Sequence, residues 1–526
     1  MPTVPDIQHA RRQTWGMYLF VLGISAAGLY SAALFRFPLL SIYARPIQNL
    51  DKLTGSSPGT GLIMAGCALL LFVAYGLGAR LVRRVPARMR FLLIAFPVLF
   101  AAILFWTYPV TSIDIYDYLF RGRMLVRFHA NTFVMAPINF ADDQLFSYVA
   151  WRRAVTAYGP IWEWMSWIAA SLAGEAPRAA ATAGQAGLLP LMLAYKAMAT
   201  TGFLLCGGAL WLALRHVAPE QRWLGLYLWL WNPLALWETV AAGHNDAWMA
   251  LLIVLALWAY AWTRDDAAST RQIVGWSLVG LLALTIGGLI KYLAFCFGPL
   301  LLLATLRRLP TWQTRAGFVA LAGLACGGLV VAAYVPFWVG MDTLRNFSDR
   351  GTLFTATWLA ALQALLVGPL GKEASQHLAA SLGLSLFAAG IFWSSIRAWL
   401  QPNDMSKHVL GLLLWFLFVC SPWFQPWYLL WALAVVALRP QDTHAVRTVA
   451  VFCCTALLSY AAGSFLLPAL GWDGRSAAWN ALVSCFIYGP PLLMLILNRP
   501  KHGAALRLAA RTPRMLGARR SKRTAS

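Results

Sequence analysis

From residue 91 to residue 113 the chain carries no charged side chain: FLLIAFPVLFAAILFWTYPVTSI. A helix of about 20 apolar residues spans the hydrocarbon core of a bilayer, and runs of this kind recur along the whole chain. In lipid no water satisfies backbone N–H and C=O groups, so such runs must become helices or strands of a closed barrel. The alternating pattern of a membrane barrel is absent. The expected fold is therefore all-α, a polytopic membrane protein. Composition agrees, with 12% charged residues against about 25% in soluble domains.

Basic clusters set the orientation. They lie at 80–90 (RLVRRVPARMR), 215–222, 264–271, 307–315, 397–407, 439–447 and 499–526, the last with nine Lys/Arg and no acid. If all face the cytoplasm, the spans between them come in pairs. The expected spans are 14–36, 60–80, 91–108, 187–214, 223–240, 246–262, 274–290, 292–306, 316–338, 377–397, 408–422, 427–438, 448–468 and 479–498. That is about fourteen crossings, or 12–14 if some are partial. Apolar pieces at 161–172 and 353–370 are expected in the outer interface. One integral-membrane domain then covers 1–498, with a large outer loop at 109–160, and 499–526 is a disordered cytoplasmic tail. The net charge of +23 follows from these basic segments. It points to topology and anionic lipid rather than nucleic acid. The eight cysteines show no metal-ligand spacing and read as small core residues. The cytoplasmic loops hold no Gly-rich phosphate loop, so chemistry is expected on the outer face.

Only nineteen acids are present, and a carboxylate at a membrane edge is costly unless paired or placed in a wet cavity. In SIDIYDYLFRGR (112–123), Asp114, Asp117, Tyr118 and Arg121 share one helix face at spacing i, i+3, i+4, i+7. Asp117–Arg121 also reads as an ordinary surface i,i+4 pair, and Asp114 as a helix N-cap. GHNDAW (243–248) places His244, Asn245 and Asp246 between two spans. They read as a site or as caps for the next helix, and two ligands do not define a metal centre. AYGPIWEW (157–164) is a turn followed by an interfacial helix. Lys291 stands alone between apolar runs, either snorkelling or binding phosphate as a point charge. SPWFQPWYLLW (421–431) is a Pro-broken aromatic belt whose rings, Trp427 and Tyr428 among them, also suit a sugar or prenyl chain.

In this order, DIYDYLFRGR, NTF, YGPIWEW, NPLALWETVAAGHNDAWM and KY, the chain resembles the GT-C class of integral-membrane glycosyltransferases. The likeness extends to the bacterial polyprenol-phosphate-mannose-dependent α-mannosyltransferases and is best over 91–306. The resemblance implies a catalytic first outer loop, a polyprenyl-phosphate sugar donor, a cell-envelope glycan, lipid or protein acceptor, and inversion at the anomeric carbon. It implies a bacterial inner-membrane location with the active site on the periplasmic side. It assigns the base to Asp114, with Asp117 and Asp246 as further catalytic candidates. Glycosyl transfer also needs the leaving phosphate stabilised. The cations near these acids, Arg121, Arg123 and Lys291, are candidates for that role. Tyr116, Tyr118, Tyr158, His244, Asn245, Trp427 and Tyr428 are candidates for substrate contact. No cofactor is required by the pattern, although a divalent cation, Mg or Mn, is compatible with His244 and Asp246.

A transporter for lipid-linked sugars is the competing expectation. It calls for internal repeats and helices broken at the midplane, and no repeat is visible. The topology has a direct test. In a cysteine-free background, Cys at Ala130 should react with an impermeant maleimide in intact cells. Cys at Arg84, Arg264 or Ser526 should react only after permeabilisation. The reverse pattern would move the chemistry to the cytoplasm.

Overall fold

The computed structural model describes residues 4–45, 50–55, 57–176, 187–265, 267–345, 353–471 and 476–497. The basic tail at 499–526 lies outside them. The described chain is helical, its strand-like pairings limited to two isolated bridges. Its helices are α1 (Val4–Arg36), α2 (Pro58–Leu81), α3 (Leu92–Phe105), α4 (Asp114–Arg127), α5 (Pro160–Leu172), α6 (Leu188–Val217), α7 (Arg222–Leu230), α8 (Asp246–Ala261) and α9 (Thr270–Gly288). There follow α10 (Gly298–Arg308), α11 (Trp312–Tyr334), α12 (Trp358–Leu370), α13 (Lys372–Leu400), α14 (Met405–Trp415), α15 (Leu429–Ala437), α16 (Thr443–Ala461) and α17 (Ala477–Leu497).

Among the described residues ten helices are long and apolar enough to cross a membrane, those built on α1, α2, α3, α6, α8, α9, α11, α13, α16 and α17. The protein is an all-α polytopic membrane protein. The other four sequence spans fold into shorter, interrupted helices. Over 223–240, α7 ends before Asn232-Pro233, because proline has no N–H to donate and restricts the residue before it. Asn232 then caps the next turn through its side chain, accepting from Ala235 N at 3.1 Å. Over 292–306 a 3₁₀ stretch, Tyr292–Phe297, precedes α10. Over 408–422, α14 widens into a π turn at Phe416–Cys420. Over 427–438, the Pro426–Tyr428 turn leads into α15. The pieces at 161–172 and 353–370 become the 13-residue helices α5 and α12, too short for ordinary spans.

The most enclosed span is α8, packed against α6, α9 and α15. Its first residue is Asp246, so the polar GHND segment stands at the mouth of the central helix. The segment 109–160 forms α4 and irregular turns. α4 lies on α5 and α6, covering the same end of the bundle. Its placement is fixed by a close backbone approach. Gly159 N donates to Ile290 O at 3.1 Å and Ile161 N to Leu289 O at 3.0 Å. A Cβ on Gly159 would collide with the Leu289 carbonyl, so only glycine lets the YGP turn dock beside Lys291. Overpacking of a rigid contact costs about 1–3 kcal/mol. Gly159→Ala should therefore lower the apparent melting temperature of the purified protein, a shift readable by thermal unfolding in detergent. An unshifted melt would show that the two segments are not joined this way.

Candidate functional site

A cavity of about 720 Å³ opens between the 109–160 loop, the start of the 291–297 stretch and the 421–431 aromatic segment. Its polar lining includes Asp114, Asp117, Tyr118 and Arg121, all from one face of α4. The helical spacing read in the sequence thus becomes one wall. The opposite face of the same helix is structural. Tyr116 is buried, its hydroxyl donating to Tyr43 O at 3.1 Å and lying 3.0 Å from Tyr108 Oη. Arg123 is fully buried between Asp143 (Nε–Oδ2 3.0 Å) and Glu175 (Nη1–Oε2 2.6 Å). Neither residue reaches the cavity. For Arg123 this is a correction to the phosphate-binding expectation, because two carboxylates already neutralise it, and Tyr116 is likewise removed from the substrate-contacting set.

Asp117 and Arg121 are not a solvated surface pair. Arg121 is 2% exposed and grips Asp117 through Nε–Oδ2 at 2.8 Å and Nη2–Oδ1 at 3.1 Å. Nη2 also donates to Ala154 O at 2.9 Å. Arg121 Nη1 has no hydrogen-bond partner among the described residues. A buried donor without an acceptor is rare in a native interior and calls for an explanation. Below this pair, Tyr118 Oη lies 2.9 Å from Tyr158 Oη.

Lys291 closes the other side. Its ammonium donates to both oxygens of the buried Asp246, at 2.6 and 2.7 Å. Three rings surround the same ammonium, Tyr158, Tyr428 and Trp431, with centroids at 5.6, 5.4 and 5.5 Å. This is cation–π geometry. It answers the snorkelling alternative, since the lysine turns into the protein and pairs there. Trp151, Trp423 and Trp427 add aromatic wall.

Asp114 differs from its neighbours. It is partly buried, and its carboxylate accepts one bond, from Trp151 Nε1 at 3.3 Å. Among the described residues no cation sits within ion-pair distance of it. Loss of hydration lifts its carboxyl above the ordinary value, with the His244 charge and the Trp151 bond pulling the other way. Its expected capping role is not observed: at the start of α4 it is the backbone N–H of Asp114 that donates, to Ser112 Oγ at 3.2 Å.

His244 and Asn245 lie behind the cavity wall, fully buried. His244 Nδ1 is 3.0 Å from both the backbone oxygen and Oε2 of Glu238, and its ring stacks on Trp427 at 3.8 Å. Burial disfavours the charged imidazole, but the bond to Glu238 and the charges of Glu238, Asp114 and Asp246 outweigh it and raise its pKa. Neither Oδ1 nor Nδ2 of Asn245 has a hydrogen-bond partner among the described residues. No group of three or more His, Cys, Asp or Glu is placed to hold a metal ion among the described residues. Asp246 is committed to Lys291, and His244 through Nδ1 to Glu238.

Two residues that support this segment were not singled out from sequence. Glu238 sits on a π turn, Trp237–Ala241, and also accepts from Tyr460 Oη at 2.9 Å. Lys196, fully buried in α6, donates to Thr107 O at 3.1 Å, Val240 O at 2.8 Å and the Ala241 carbonyl. The signal for Lys196 was present, a lone cation inside an apolar span, which marks function or a paired role.

Comparison with known proteins fits this construction. Residues 14–307, more than half of the chain, match the family described as alpha-(1->6)-mannopyranosyltransferase, N-terminal domain. The chain belongs to this family. It is 27% identical over 460 residues to a Mycolicibacterium smegmatis protein named "Probable alpha-(1->6)-mannopyranosyltransferase", covering 81% of this chain and 77% of that one. It is 25% identical over 161 residues to alpha-(1->6)-mannopyranosyltransferase A of Corynebacterium glutamicum, covering 31% and 29%. The matched stretch contains α4, the GHND segment and Lys291, and membership favours a glycosyltransferase over the transporter alternative.

Burial changes what the Asp117–Arg121 pair is worth. An exposed i,i+4 pair contributes about 0.3–0.5 kcal/mol, whereas removing one partner of a buried pair costs roughly 3–5 kcal/mol. Asp117→Asn should accordingly destabilise the fold, lowering the melting temperature clearly. A variant that melts with the wild type would mean that the guanidinium is held by other groups.

Proposed function

We propose that the protein transfers mannose from a polyprenyl-phosphate-mannose donor to a glycan or lipid acceptor at the outer face of a bacterial cytoplasmic membrane, with inversion. The observation that carries this reading is one cavity lined by an unpaired carboxylate, Asp114, and by the two cations Arg121 and Lys291. Family membership supplies the sugar, and the ten apolar helices supply a bilayer in which a prenyl tail can lie.

In this mechanism the acceptor hydroxyl gives its proton to Asp114 as its oxygen attacks the anomeric carbon. The bond from that carbon to the phosphate oxygen breaks, and polyprenyl phosphate departs with the electron pair. A single displacement inverts configuration and needs no enzyme nucleophile. Arg121 and Lys291, which line the cavity, stabilise the negative charge that grows on the phosphate. Charge-assisted bonds of this kind are roughly twice as strong as neutral ones. Trp151, Trp423, Trp427 and Tyr428 present ring faces for the sugar and the first prenyl units. Asp246 holds Lys291 in place, and Glu238 does the same for His244.

Asp114→Asn keeps shape but cannot take a proton. General-base loss costs about a hundred- to ten-thousand-fold, so turnover with purified polyprenyl-phosphate-mannose and a mannosyl acceptor should collapse while the melt and the size-exclusion profile stay normal. The base works only when ionised, and its pKa is raised. Wild-type turnover should consequently fall as pH is lowered, beginning above the usual carboxylate range. Near wild-type turnover in Asp114→Asn would move the base elsewhere.

A further inference from the structure

A second cavity, about 730 Å³, lies at the other end of the bundle. Chain direction places it there. α3 runs from Leu92 to Phe105, toward the 109–160 loop, and the groove is lined by Arg80, Arg83 and Arg84 at the start of that passage. Its walls come from the last turns of α2, the first turns of α7 and the start of α16. Phe72, Val73, Leu228 and Val451 make them apolar. The rim is cationic. Arg80, Arg83, Arg84 and Arg447 line it, and no carboxylate does. All four are exposed. Among the described residues Arg83 bonds the neutral Gln221 at 2.8 Å, and Arg84 lies over the Trp15 ring at 4.9 Å. None of these contacts cancels a charge. Tyr75, which lines the groove, is satisfied within the protein: its hydroxyl donates to Leu228 O at 2.8 Å and its carbonyl accepts from Tyr227 Oη at 2.9 Å.

We infer that this groove binds an anionic diacyl phospholipid, its phosphate among the four arginines and its acyl chains along the α2–α16 walls. An apolar trough with an uncompensated cationic rim, at the end of membrane-crossing helices, is complementary to such a lipid in both parts. Each arginine near an anionic headgroup strengthens binding by about fivefold. The site is separate from the transfer cavity, so the two readings stand or fall independently.

The test uses the full-length protein in detergent, with phosphatidylglycerol and phosphatidylcholine of the same chains as probes. Bound lipid is counted by native mass spectrometry, and stabilisation is read as a melting shift. Wild type should retain phosphatidylglycerol in preference to phosphatidylcholine. Changing the four arginines together to Gln should abolish the preference. Gly76→Trp should displace both lipids with the charges intact, because Gly76 lines the groove and has no atom within 4 Å of where a Cβ would stand. Equal retention of the two lipids by wild type, or unchanged retention in both variants, would overturn the proposal. So would an equal melting shift from inorganic phosphate alone, which would mark a simple anion site.

Discussion

A helix inside an apolar bundle can stop only where other groups take over the N–H and C=O groups it leaves behind. The candidate site is built at such stops. The helix before GHND widens into the π turn Trp237–Ala241, and Lys196 reaches from α6 to take the Val240 and Ala241 carbonyls. That single cation also ties in Thr107, at the start of the outer loop. Asn232 caps the restart after the proline break within the same segment. On the far side, Gly159 lets the YGP turn satisfy the Leu289 and Ile290 carbonyls at the end of α9. Each irregularity would be unstable alone. Together they bring the outer loop, the mouth of α8 and Lys291 into one cluster.

Electrostatics then follow from enclosure. Asp117 has Arg121, Asp246 has Lys291, and Glu238 has His244 and Tyr460. Glu163, which fastens α5 to the outer loop, accepts from Thr132 at 2.8 Å and Thr156 at 2.6 Å. Burial raises the Glu163 pKa, while the Arg121 charge and the two hydroxyls pull it back. Breaking one of these buried arrangements leaves a charge or a lone pair without compensation, which is why they are expected to behave as structure when mutated singly.

Much of this was legible in the sequence, because hydropathy and helical spacing are local. Ten of the expected spans appear as long helices close to their expected limits, and the i, i+3, i+4, i+7 stripe of α4 does become one cavity wall. The four remaining spans are apolar enough, but their breaks depend on Pro, π turns and long-range caps that periodicity does not encode. The same blindness explains Arg123. Its neighbours in sequence suggested the site, while its partners Asp143 and Glu175 lie 20 and 52 residues away and face the other side of α4. Glu238 was passed over for the converse reason, since its importance lies in a contact with His244 that a π turn creates.

What separates Asp114 from the other acids is therefore pairing and not position alone. Asp117, on the same wall, and Asp246 behind it are each held by a cation, which fixes their oxygens. Asp114 keeps one weak contact, from Trp151, and an environment that raises its proton affinity. A base needs both properties, a free lone pair and a pKa that is not too low. The cations show the mirror image. Arg121 and Lys291 are matched by Asp117 and Asp246. Arg121 and Lys291 both line the cavity, so each ion pair that holds the wall together also presents its cation there.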